Sequence, residues 1–168
     1  MRHLRKIISM KYIVRVFLLL LICTSTAWAV DKGQQQAFLL AKSLFDKNEQ
    51  LDQAIHDLRL VLPQIKEDAD LHVAGIIFEG AVQQASMAMK NHDSWLATYS
   101  AMQNKTDKQF VLEELRYSQK VALNAIERSV SQINKALSSI NDHALSTQLV
   151  KLRDVLNEEN QLLSSWKP

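Results

Sequence analysis

Residues 107–140, DKQFVLEELRYSQKVALNAIERSVSQINKALSSI, and residues 143–166, HALSTQLVKLRDVLNEENQLLSSW, are separated only by Asn141 and Asp142. Leu115, Gln119, Ala122, Ile126, Val130, Ile133, Leu137 and Ile140 recur in the first segment at steps of four and three. Leu145, Leu149, Leu152, Leu156, Glu159, Leu163 and Trp166 repeat that rhythm in the second. Such spacing keeps one seam of a helix turned toward a partner, and a short polar turn makes the preceding helix that partner. Residues 107–166 therefore predict a long antiparallel helical hairpin. Thr106 and Gln109 stand at the spacing of a capping box that opens it. Glu159 interrupts the seam, so its distal end is expected to meet water or another partner.

The segments upstream follow the same logic. Candidate helices cover 34–47, 50–66, 70–90 and 94–104, with Asn48 and Asn91-His92-Asp93-Ser94 as the breaks between them. Ala37, Phe38, Ala41, Leu44 and Phe45 share one side of the first, and Pro63 should stop the second near Leu62. Gly75 and Gly80 fall inside the third, where they suggest close approach of a neighbouring helix. The whole chain holds only 3 glycines and 2 prolines, too few for the tight turns of a strand-rich fold. The expected class is all-α, an antiparallel bundle of about four principal helices ending in the long hairpin. Phe38, Ala41, Phe45, Ala54 and Leu58 resemble the helix-pair pattern of tetratricopeptide repeats, which implies a short antiparallel helix pair there. Residues 70–103 do not repeat the spacing, and no family is assigned.

The amino terminus speaks to location. Arg2, Arg5, Lys6, Lys11 and Arg15 precede an apolar run from Val16 to Cys23, and Ala27 and Ala29 close it at peptidase spacing. This is the pattern of a cleavable secretory signal over 1–29, whichever of Met1 or Met10 starts the chain. The apolar run is about half of what a spanning helix needs, so no stable membrane span is expected after cleavage. Cutting after Ala29 leaves one helical domain, 30–168, in the periplasm. The full chain carries 20 basic and 18 acidic side chains; loss of five basic and no acidic ones turns a net +2 into −3. The basic balance thus belongs to export and gives no reason to expect nucleic-acid binding. Cys23, the only cysteine, leaves with the signal, so neither disulfides nor thiolate chemistry is expected.

No constellation in the remaining chain announces catalysis. His56, His72, His92 and His143 lack one-turn pairing and read as solvent-facing or capping residues, and no cofactor or metal is expected. Gly-x-Ser-x-Gly is missing as well. Glu79 lies between Phe78 and Gly80 in an alanine-rich helix; it reads as facing water, and turned inward it would need Arg116 or Arg128. These three, with Trp95 and Tyr99, form the candidate ligand or partner surface. Val111, Leu112 and Leu123 lie off the hairpin seam and give the long helix more apolar surface than one seam uses. The resulting expectation is a non-enzymatic periplasmic protein that binds a partner, either an envelope protein or a second copy through the long helix. A small-ligand or non-covalent cofactor bundle, with a pocket between the third helix and the hairpin, is one alternative. A small helical enzyme is the other.

Overall fold

A computed structural model describes residues 31–65, 69–102 and 105–167. The signal-peptide expectation for 1–29 lies outside these residues. Asp31 opens the first helix, α1 (Lys32–Val61), by accepting a hydrogen bond from the Gly33 amide at 3.1 Å. Gln34, Ala37, Leu40, Leu44, Asn48, Leu51, Ala54, Leu58 and Val61 are buried in an unbroken run of threes and fours, with Ile55 buried beside it. That run explains why no break occurs at Asn48. The asparagine takes an inward position between Leu44 and Leu51, and the packing on both sides carries the helix through. The pair of short helices implied by the tetratricopeptide-like pattern is therefore a single helix. Phe38 and Phe45, expected on the core side, flank the buried stripe and are 60% and 56% exposed. Pro63 ends the helix as anticipated, sitting inside a 3-10 turn, Leu62–Gln64.

Helix α2 (Ala69–Ala101) likewise runs through its expected break, with His92 fully buried rather than capping. Met89, His92, Leu96 and Tyr99 continue the inward rhythm across the polar cluster, so tertiary packing overrides the local capping signal. Helix α3 (Lys105–Leu137) begins one residue before Thr106, which places that residue in the first turn instead of at the cap. Gln109 Nε2 donates to Glu113 one turn further on, at 3.1 Å. At the far end Ser138 and Ser139 bond the carbonyls of Lys135 and Ala136, and the helix stops at Leu137 rather than Ile140. Asp142 then caps α4 (His143–Ser165) by accepting from the Leu145 amide at 2.7 Å.

Each helix packs on its neighbours in sequence, and α1 also packs on α4, which closes the ring of an up-down-up-down four-helix bundle. Two glutamines fasten the C-terminal ends of α2 and α4. Gln34 Nε2 donates to the carbonyls of Tyr99 and Met102 at 2.9 and 2.6 Å, and Gln119 Nε2 donates to those of Leu163 and Trp166 at 2.6 and 2.9 Å. Each supplies donors to carbonyls that the end of a neighbouring helix leaves open.

The glycines of α2 behave differently. A Cβ on Gly75 would lie 2.1 Å from Leu62 Cδ2, so the close approach there is real, and Leu62 fills the space. A Cβ on Gly80 would meet nothing within 4 Å. Gly80→Ala should therefore stabilise the bundle by about 1 kcal/mol, the helical gain of alanine. Gly75→Ala should gain less or lose, because Leu62 must turn away; urea denaturation of the two variants measures the difference. Equal gains would contradict the packing at Gly75.

Candidate functional site

The five residues singled out from the sequence are spread along the bundle. Glu79 is held by α1: Arg59 Nε donates to its Oε1 at 2.5 Å, so its partner is Arg59 and not Arg116 or Arg128. Trp95 and Tyr99 lie one turn apart near the opposite end of α2, about 24 Å from Glu79 at 1.5 Å per residue. Trp95 is half-buried and meets Phe110 edge-on with centroids 6.3 Å apart. Tyr99 is buried, and burial together with Asp31 raises its hydroxyl above the usual range. Arg116 and Arg128 are both exposed on α3, about 18 Å apart along the axis. Trp95 and Tyr99 share one neighbourhood; Glu79 and the two arginines do not join them in one concavity.

A trough between α2 and α3 emerges instead. One part, of about 400 Å³, lies where α2 begins and α3 ends and is walled by Leu71, Ala74, Ile77, Phe78, Ala136 and Ile140. The next, of about 420 Å³, is more polar and is lined by Gln84, Val121, Asn124 and Arg128. Gln132 lines both, so the two run together. The floor is fixed by Ser129, whose hydroxyl lies 3.1 Å from the Ala81 carbonyl of α2 and 2.9 Å from the Ala125 carbonyl of its own helix. Ile77 and Val121 line the trough and remain exposed, as do Val73, Ile76 and Met87 elsewhere on α2 and Phe110 and Tyr117 on α3. Val111, Leu112 and Leu123 do not supply the surplus apolar surface expected of the long helix. Val111 is buried, and Leu112 and Leu123 are half-buried against the core.

The interior holds a second unusual feature. Lys47 bonds Glu158 across α1 and α4, and one residue further on Asn48 and Glu159 both turn inward at that level. Glu159 is fully buried, which overturns the expectation of a solvated distal seam, and neither carboxyl oxygen has a hydrogen-bond partner. Asn48 Oδ1 is also unpartnered. Burial pushes Glu159 up to about 8, opposed by Lys47 and reinforced by Asp52 and Glu158. The next level contains His92, fully buried with Nδ1 2.8 Å from the Ser118 hydroxyl and its ring tilted on Trp166 at 6.1 Å. Burial pushes His92 down to about 4. Around neutrality the histidine is uncharged and the carboxyl is largely protonated, the forms that a low-dielectric core tolerates. The expectation of four surface histidines thus fails at His92. His72 is half-buried with Nδ1 3.1 Å from the Leu62 carbonyl, while His56 and His143 are exposed.

Among the described residues no cluster of three His, Cys, Asp or Glu side chains is placed to hold a metal ion. No helix among them is long and apolar enough to cross a membrane. Comparison with protein-family models, characterised proteins and solved structures finds no match to this chain.

Proposed function

We propose that this chain is an exported, non-enzymatic helical bundle that binds another protein through its α2–α3 face. One observation carries the reading. Of the eleven exposed large apolar side chains among the described residues, seven lie on α2 and α3 and none on α4. Scattered surface apolar residues need no explanation, but a run of them beside a trough marks a contact surface. The polar wall formed by Gln84, Asn124, Arg128 and Gln132 suits a wet, moderate-affinity interface. Export is supported by the basic head, apolar run and Ala27/Ala29 spacing of residues 1–29.

Crosslinking of the tagged protein in its native cells tests the reading. Tyr117→Glu and Val121→Glu should each abolish the crosslinked partner, while Leu39→Glu on α1 should leave it in place. Loss only with the α1 variant would overturn the assignment of the face. A small apolar ligand in the trough is the second reading, favoured by the Leu71, Ile77 and Phe78 walls. The trough lies between the expected third helix and the hairpin, as anticipated, but Trp95 does not rim it, lying about 27 Å along α2 from Ile77.

A further inference from the structure

The outer stripe of α3 has an order of its own. Asp107, Glu114, Val121, Arg128 and Lys135 follow one another at seven-residue intervals, so they share a face of the helix. The order is acidic, acidic, apolar, basic, basic. None of these side chains is buried: Glu114 is half-buried, Val121 is 39% exposed, and the other three are exposed. Val121, Arg128 and Lys135 border the trough beside α2. A stripe of this kind is its own electrostatic complement when reversed. Placed antiparallel to a copy of itself and centred on Val121, it sets Glu114 opposite Arg128 and Asp107 opposite Lys135, each pair occurring twice by symmetry.

Size follows the same symmetry. Tyr117, an exposed aromatic of the acidic half, falls opposite the much smaller Ala125 of the basic half, and Phe110 falls opposite Gln132. The stretch from 107 to 135 is about 42 Å long, ample for a helix–helix seam.

We propose that α3 pairs with α3 of a second copy of this chain, antiparallel about a twofold axis at Val121. The proposal rests on the reading of the α2–α3 face as a docking surface and names the occupant: an identical chain, recognised by charge reversal along one helix. Val121 meets Val121 at the axis. Flanking charges set the register, as they do in coiled coils.

Sedimentation equilibrium of the cell-processed protein at micromolar concentration should give a dimer. Arg128→Glu, or Glu114→Arg alone, creates two like-charge pairs and should weaken the dimer on the order of a hundredfold. The double variant Glu114→Arg/Arg128→Glu restores both pairs and should restore dimerisation, with circular dichroism confirming helical content throughout. Val121→Cys, with Cys23→Ser, should form an intermolecular disulfide on oxidation, whereas Leu39→Cys should not. A monomeric wild-type protein overturns the pairing, as does a dimer indifferent to Arg128→Glu or a double variant that fails to recover. In the monomeric case the docking reading survives if Tyr117→Glu still abolishes a crosslinked partner in cells, and it falls if nothing depends on that face.

Discussion

Glu159→Leu should make the bundle more stable at pH 8, by roughly 1 to 4 kcal/mol, the range found when buried ion pairs give way to apolar residues. Glu159 is fully buried in the α4 seam between Leu156 and Leu163, and its carboxyl oxygens find no hydrogen-bond donor there. Its folded pKa, about 8, stands above the ordinary 4.5. Between those values the unfolded chain releases the proton while the folded chain keeps it, so stability declines as pH rises from 4.5 to 8. His92 acts in the opposite sense. Its folded pKa of about 4 lies below 6.5, so stability declines as pH falls from 6.5 to 4. From about 4.5 to 6.5 the two slopes cancel, and these groups predict a plateau there with a fall on either side. Asp93, raised by partial burial, acts in the same sense as Glu159, with stability declining as pH rises from 3.8. Glu159→Leu should remove most of the alkaline fall and, with nothing left to cancel His92, extend the acid limb up to about pH 6.5. Urea midpoints measured across the pH range check this, and an unchanged alkaline limb would contradict a neutral buried carboxyl.

Trp166→Ala should cost about 3 to 5 kcal/mol, the range for emptying a large aromatic site. Trp166 follows the last turn of α4, yet it is 8% exposed and covers the His92 ring. Its carbonyl also receives one of the two Gln119 bonds that fasten the end of α4 to α3. Removing the indole should let water reach His92, whose pKa should then climb from about 4 toward 6.5. A proton NMR titration of the imidazole reads that shift, and calorimetry reads the stability. A loss below about 1 kcal/mol with His92 unmoved would mean that Trp166 does not close the core.

The hairpin that decides the fold is legible because its apolar steps are long, regular and joined by a short turn. Leu145, Leu149, Leu152, Leu156 and Leu163 are all fully buried where the spacing places them. The errors fall at polar residues on inward positions. Asn48 and His92 carry capping or turn character, and a local reading makes each a helix end. In the folded chain Leu44 and Leu51 flank Asn48, and Met89 and Leu96 flank His92, so burial on both sides overrides the local preference. Glu159 fails for the same reason: a carboxyl in a leucine seam reads as an opening to water, but the neighbouring helices close over it.

The surface was harder to read than the core. Glu79 turned out to be served by Arg59, an arginine on a helix whose alignment with α2 depends on α1 being continuous. Phe110, Tyr117 and Val121 alternate with buried residues of α3, and only the positions of α1, α2 and α4 show that nothing covers them. The heptad of charges around Val121 was present in the sequence all along. It became informative once the opposite stripe of α3 was committed to the core.

Continuity of α1 and α2 is what puts Asn48, His92 and Glu159 inside the bundle and leaves the α2–α3 face outside. Residue-resolved amide hydrogen exchange on the native protein tests it most directly. Amides over 46–52 and 90–95 should exchange as slowly as those of the turns on either side, because they lie in the middle of packed helices. Rapid exchange confined to those two segments would contradict the account and return the chain to a set of shorter helices with loops at both places.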